Sequence, residues 1–308
     1  GGVGASGQVR TDAIAIREQG AGTYIVTEAG ALEVARAGHT ATLLPDGRVV
    51  VVGGARQAEA NEVGDLVETA EVFSPASGTS ETLPLRGPPI GRTEHAATFL
   101  QREGRLFVYL YGGRGRLSGG SFGTRSDLTV LEFHATSSGD SLVNLSPEGG
   151  IGALAPVAEH VLVPLPPDDD AARLLAAGTY TAPGSPASPV AARLRFRPSS
   201  FFFPFEVLEE PVSPLLVART GHAATPFLSS NALVAGGRSP DGTPLSSLEV
   251  FADEVGRFFR FPTDDVALRV ARHSHTATLL PSGRILLAGG VDALGRPLSS
   301  LELFLRRE

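Results

Sequence analysis

The chain has 308 residues, 42% of them apolar, with a formal net charge of −7 and a pI near 5.6. That is enough apolar material for one large all-β domain or two smaller domains, and the interspersed acidic and basic residues argue against nucleic acid or a membrane surface as partner. The absence of Cys excludes disulfides, thiolate metal sites and thiol nucleophiles, and no stretch reaches the ~18 to 20 continuous apolar residues of a membrane-spanning helix.

Every basic residue is Arg, and Ala, Gly, Pro and Leu are abundant, which points to a GC-rich bacterial genome. There is no Met, and the residues from Gly1 onward do not read as a secretory leader, so any export signal is expected to precede Gly1.

In chain order, the first punctuation is the pair Gly1-Gly2, followed by predicted strands at 13–16 and 24–27. A fuller unit follows: Arg36, His39, an apolar strand over 40–44, an Asp46-Gly47 turn, an unbroken apolar strand over 49–52, Gly53-Gly54, a loop, and the alternating strand Glu71-Val72-Phe73. An Asp-Gly between apolar runs is a strong hairpin signal, and an unbroken apolar strand is buried on both faces. The next copy carries Arg92, His95, Gly112-Gly113 and Leu131-Glu132-Phe133. Residues 134–156 and 183–189 are rich in Ser, Pro and Gly and read as long surface loops.

The fourth copy is worn: Val157 stands in place of the Arg, His160 is kept, and Ala177-Gly178 replaces the glycine pair, with strands expected at 192–196 and 201–207. The fifth restores Arg219, His222, Gly236-Gly237 and Leu248-Glu249-Val250-Phe251, with a further strand at 258–261. The sixth repeats it almost residue for residue: Arg272, His275, a strand over 276–280, a Ser282-Gly283 turn, a strand over 285–288, Gly289-Gly290 and the strand at 301–304.

These copies follow one another every 50 to 65 residues, a period that belongs to propellers. The pattern Arg-x-x-His, strand, Asp-Gly or Ser-Gly turn, strand, Gly-Gly, Glu-containing strand resembles the kelch repeat, in the bacterial variant also found in the propeller of galactose oxidase. It covers nearly the whole chain, although no copy carries Trp and Phe stands where many kelch repeats have Tyr. The resemblance implies an all-β, kelch-type β-propeller of radially arranged four-stranded blades. It implies one domain of six blades, or alternatively seven, closed in either case with polypeptide outside this sequence, at 1–30 (partial), 31–86, 87–150, 151–212, 213–265 and 266–308 (partial).

His39, His95, His160, His222 and His275 share one repeat position, which suggests a metal ring or, alternatively, the same inter-blade hydrogen bond made in each copy. The structural role is the one expected, because ligands for a single ion need not recur in every blade. Arg36, Arg92, Arg219 and Arg272, with Glu71, Glu132, Glu249 and Glu302, also recur and are expected to form repeated guanidinium–carboxylate pairs. Asp168-Asp169-Asp170 reads as a solvated hairpin tip more than a Ca²⁺ loop. Phe201-Phe202-Phe203-Pro204-Phe205 reads as alternation into the core more than a contact patch. Copper-radical oxidase chemistry is excluded by the absence of Cys beside only four Tyr (Tyr24, Tyr109, Tyr111, Tyr180). No metal or other cofactor is expected.

Binding usually resides in long loops on a rigid scaffold, here those after the glycine pairs, with Arg56, Arg114, Arg116, Arg125 and Arg238. The expected function is a non-catalytic protein- or glycan-binding scaffold, exported to the periplasm, cell surface or medium of a bacterium. The alternatives are a sugar-active, epimerase-like enzyme with a site at the channel mouth, and a structural subunit of a larger surface assembly.

Overall fold

In the computed structural model, residues 1–4, 6–20, 23–117, 119–137, 139–147, 150–151, 157–168, 171–180, 187–198, 205–228, 230–261 and 266–304 are described. The fold is all-β, with a succession of small antiparallel sheets consistent with a β-propeller-like fold; the one helical element among these residues is the 3₁₀ turn Val63–Asp65. Contacts divide the chain into two compact units, Gly1–Ala153 and Leu154–Glu308.

In the first unit, Asp12–Gly20 pairs with Thr23–Ala31, and a four-stranded sheet follows in sequence order: Thr40–Leu43, Val49–Val52, Ala70–Ser74 and Thr79–Leu83. The next sheet runs Ala96–Arg102, Arg105–Tyr111, Leu128–Thr136 and Gly139–Asn144, with Leu85–Arg86 added in parallel to its outer edge. Val49–Val52 shows why the second strand of a repeat is unbroken apolar. Val50 and Val52 enter the core with Leu110, Leu131 and Leu142, while Val51 faces Leu32 and Phe73 on the other side.

In the second unit, four-stranded sheets are built from Val161–Asp168, Ala171–Tyr180, Ser188–Pro198 and Phe205–Pro211, and from Ala223–Phe227, Asn231–Ala235, Leu248–Ala252 and Arg257–Arg260. Thr276–Leu279, Ile285–Ala288 and Leu301–Phe304 make a third sheet. Val163, Leu175, Val234 and Phe251 fill one core, and Leu233, Leu248, Ile285 and Leu287 another.

Two expectations are corrected. Residues 139–144 are the outer strand of their sheet, because Leu142 is fully buried against Leu131 and Phe133 and pulls the polar stretch around it into register. The strand containing Glu132 begins earlier than its apolar motif suggests. Leu110 pairs with Thr129, whereas the equivalent Val51 and Val234 pair with Glu71 and Glu249, so Thr129 holds the repeat position first assigned to Glu132. Residues 169–170 and 201–204, and with them most of the Asp and Phe clusters, lie outside the described residues.

Candidate functional site

The recurring Arg and Glu form a buried clamp. Arg36, Arg219 and Arg272 are fully buried, and each gives its Nη2 to the carboxylate of Glu71, Glu249 or Glu302, at 2.6 Å for Arg219 and 2.5 Å for Arg272. Nη1 of each donates to the carbonyl of the repeat's first glycine, Gly53, Gly236 or Gly289. The same carboxylate accepts two backbone N–H groups three and two residues before the Arg: Glu33 and Val34, Leu216 and Val217, Arg269 and Val270. Burial works against the charged form of Glu71, but Ser80, the Glu33 amide and Arg36 outweigh it and hold its pKa below the ordinary carboxylate range.

The third repeat solves the problem differently. Pro89 stands three residues before Arg92 and has no N–H, so a Glu in the usual place would lose one of its two amide donors. Arg92 instead donates to Asp127 at 2.9 Å and to Thr129 at 2.6 Å. Arg125 adds a second guanidinium to Asp127 at 2.6 Å, and burial lowers the Arg92 pKa to about 10 against the pull of Asp127. Glu132 pairs with Arg105 at 2.6 Å. In the worn repeat Val157 and Arg193 occupy the two clamp positions, and Arg193 turns to Glu210 and Asp253.

The histidines are held mainly by shape. A Cβ on the second glycine of a repeat would lie 3.0 Å or less from the Cβ of that repeat's own His: Gly54 on His39, Gly113 on His95, Gly178 on His160, Gly237 on His222 and Gly290 on His275. A Cβ on the preceding repeat's first glycine would strike the ring edge, as for Gly1 on His39, Gly53 on His95 and Gly236 on His275. Both glycines of a full pair are left-handed, 65° and 92° at Gly53-Gly54, so they supply conformation and clearance together. The expected inter-repeat hydrogen bond is seen between His95 Nε2 and Thr40 Oγ1, at 2.9 Å. It does not recur uniformly: neither ring nitrogen of His275 has a partner among the described residues, because Ala223 stands where Thr40 does. Burial lowers the pKa of His39 and His275 to about 4 and of His222 to about 3, so all three are neutral at pH 7. Among the described residues no three His, Asp or Glu gather as a metal site.

The residue before each of these histidines is left-handed in all five repeats: Gly38, Glu94, Glu159, Gly221 and Ser274, with φ between 51° and 64°. Its backbone explains this. In the first unit Glu94 N donates to Gly38 O at 2.9 Å; in the second, Gly221 N donates to Glu159 O at 2.8 Å and Ser274 N to Gly221 O at 2.6 Å. Sequence inspection missed this position because Glu and Ser conceal a glycine-like conformation.

The loops after Gly53-Gly54 and Gly112-Gly113 carry regular backbone pairing. In the first unit, Arg114–Arg116 and Phe122–Thr124 form a hairpin that pairs with Arg92–Thr93. Phe122 packs into a cluster with Ala55, Ala60, Val63 and Leu66, which ties the hairpin to the preceding loop. Asp65 locks that loop by accepting N–H groups from Asn61 and Glu62. Arg114 lies over the Phe122 ring at 4.9 Å. Arg125 is consumed internally by Asp127 and the Arg116 carbonyl. Arg56 and Arg116 are exposed, and their side chains have no described partner.

In the second unit Arg238 is 40% exposed and donates from Nη2 to Glu159 at 2.6 Å, with a weaker Nε contact to Thr220 Oγ1. A cavity of about 300 Å³ opens beside it, lined by Thr179, Thr220, Arg238, Ser239, Pro240 and Gly242 among others. His273 lies within the electrostatic reach of Arg238 and Glu159, and partial burial lowers its pKa. Asp168, the described member of its cluster, accepts from Arg195 at 2.8 Å.

No protein-family model matches the chain, and no curated protein matches it. Solved structures do: 205 chains match, among them the one titled "Structure of YjhT", at 14% identity and a TM-score of 0.66 over 99% of this chain and 91% of that one. No described helix is long and apolar enough to cross a membrane. At that identity the likeness speaks to fold alone: an all-β chain of many antiparallel sheets, β-propeller-like.

Proposed function

We propose that the chain is a six-bladed kelch-type propeller, exported by a bacterium, that acts as a non-catalytic scaffold and holds a protein or glycan partner on the loops after its glycine pairs. One observation carries this reading. The loop at 55–66 and the hairpin at 114–124 are fixed to each other through Phe122, yet they present Arg56 and Arg116 exposed, with no carboxylate partner among the described residues. Pre-organised loops lose little entropy on binding, and arginine is enriched among residues that dominate interface energies. The partner would supply the missing acceptors, carboxylates above all.

The test is binding of the purified chain to arrays of bacterial surface glycans and of acidic peptides, comparing wild type with Arg56→Ala/Arg116→Ala. Selective binding that falls ~10-fold or more in the double variant at an unchanged melting temperature is the expected result. Equal binding by both proteins would discard this face as the contact surface.

A further inference from the structure

Repeats offer an internal control: a contact that recurs in every copy is scaffold, and one made at a single corner needs another reason. Arg238 and Glu159 make such a contact. The first residue after the glycine pair is Ala55 in the second repeat and Val291 in the sixth, each making the same backbone bridges as Arg238, so the architecture requires no charge there; Arg114 recurs in that place, but the preceding repeat offers it Gly38 and no carboxylate. The left-handed position is glycine at 38 and 221, Glu at 94 and 159 and Ser at 274; Glu159 holds it at φ 51°, a conformation costing a non-glycine residue about 1 kcal/mol or more.

Their contact leaves binding capacity unused. Glu159 takes Nη2 of Arg238 and Thr220 takes Nε, whereas Nη1 has no acceptor among the described residues. Among the described residues the cavity lining holds no carboxylate and no large apolar side chain; the hydroxyl residues Thr179, Thr220 and Ser239 share it with Arg219 and Arg238. The Thr179 hydroxyl is committed to the Arg219 backbone, accepting its N–H at 2.7 Å and donating to its carbonyl at 2.8 Å. The Thr220 hydroxyl keeps its proton available. A guanidinium edge beside a hydroxyl donor is a carboxylate-binding arrangement, and a volume of about 300 Å³ lies at the small end of ligand pockets, which suits a small molecule.

We propose that this cavity binds a small hydroxylated carboxylate, held by the Nη1 edge of Arg238 and the Thr220 hydroxyl, with Glu159 acting as the positioning residue that fixes the guanidinium. The site shares no residue with the loops of Arg56 and Arg116, so it stands or falls independently of the partner-binding reading.

Titration calorimetry of the full chain tests it with three probes: gluconate, sorbitol, which keeps the hydroxyls without the carboxylate, and hexanoate, which keeps the carboxylate without the hydroxyls. Gluconate should bind at least ~10-fold more tightly than either. Arg238→Val, which installs the residue the sixth repeat uses at this place, should abolish that preference while leaving the melting temperature unchanged. Glu159→Ala, which leaves the guanidinium unanchored, should weaken gluconate severalfold, and Glu159→Gln, which keeps an acceptor for Nη2, should retain most of the affinity. The proposal is overturned if gluconate shows no saturable binding, if sorbitol or hexanoate matches it, or if Arg238→Val binds as wild type does. A loss in Glu159→Gln equal to that in Arg238→Val would also overturn it, by placing the ligand on the carboxylate.

Discussion

Arg114 and Arg238 occupy the same place in two repeats, one in each compact unit, and they behave differently. Both follow a glycine pair and both bridge to a Thr in the segment before the first strand of the repeat's sheet, Thr93 or Thr220. Arg114 lies over an aromatic ring; Arg238 is held by a carboxylate. What differs is the left-handed residue of the preceding repeat, Gly38 in one case and Glu159 in the other. Gly38 has little latitude, since a Cβ there would lie 2.2 Å from Thr93 Oγ1. One framework thus yields a cation–π platform or an ion-paired pocket, depending on one side chain it permits in one repeat and forbids in another.

The largest expected effect comes from removing the framework beneath the Arg238 corner. Glu249→Ala leaves Arg219 fully buried with its charge unpaired, and loss of one partner of a buried ion pair costs about 3–5 kcal/mol. The matching change under the Arg114 corner, Thr129→Ala, leaves Arg92 bound to Asp127 and should cost about 1 kcal/mol, the worth of one hydrogen bond. Urea unfolding of both variants measures this. Equal losses would show that Asp127 does not substitute for the Glu clamp.

Acid should act on both units at once, through the wedged histidines. His39, His222 and His275 are neutral in the fold, with pKa values held near 4, 3 and 4 by burial. Below pH 6.5 the unfolded chain takes up protons that the folded chain refuses. Their contribution is therefore complete above pH 6.5 and declines as pH falls toward 4, by about 1 kcal/mol per pH unit for each. The clamp carboxylates have the opposite shift: Glu71 lies below its ordinary value, so its contribution is complete above about pH 4.5 and is lost only below that. Urea midpoints should be nearly level from pH 7.5 to 6.5 and then fall through pH 5.5 and 4.5, before the carboxylates titrate, and His222→Leu should flatten the decline. A flat profile between pH 6.5 and 5 would mean the histidines are solvated.

Much of this was legible in the sequence because it repeats. Glycine pairs, the buried histidines, the hairpins at Asp46-Gly47 and Ser282-Gly283, and three of the four Arg–Glu pairs fall where the period places them. The fourth failed for a local reason that was also visible, the missing N–H of Pro89, which makes a Glu clamp at Arg92 incomplete and moves the acid to Asp127. Matching on Leu-Glu-Phe selected Glu132 because apolar–Glu–apolar is common in any half-buried strand. The order of the 114–124 loop was hidden, since Phe122 is fixed by Ala55 and Leu66, residues distant in sequence. The pairing of Arg238 with Glu159 spans 79 residues and leaves no spacing signal.

The smallest expected effect is the most informative about the two corners. Glu159→Gly gives the Arg238 corner the residue that the Arg114 corner has at Gly38. It releases about 1 kcal/mol of left-handed strain and removes a partly exposed ion pair worth about 0–1 kcal/mol. The two nearly cancel, and the unfolding midpoint should move by less than ~1 kcal/mol equivalent in either direction. A loss above ~2 kcal/mol would make the pair a structural strut and explain Glu159 by stability alone. A null result would leave the strained carboxylate with no structural justification, which is what a residue kept for positioning Arg238 predicts.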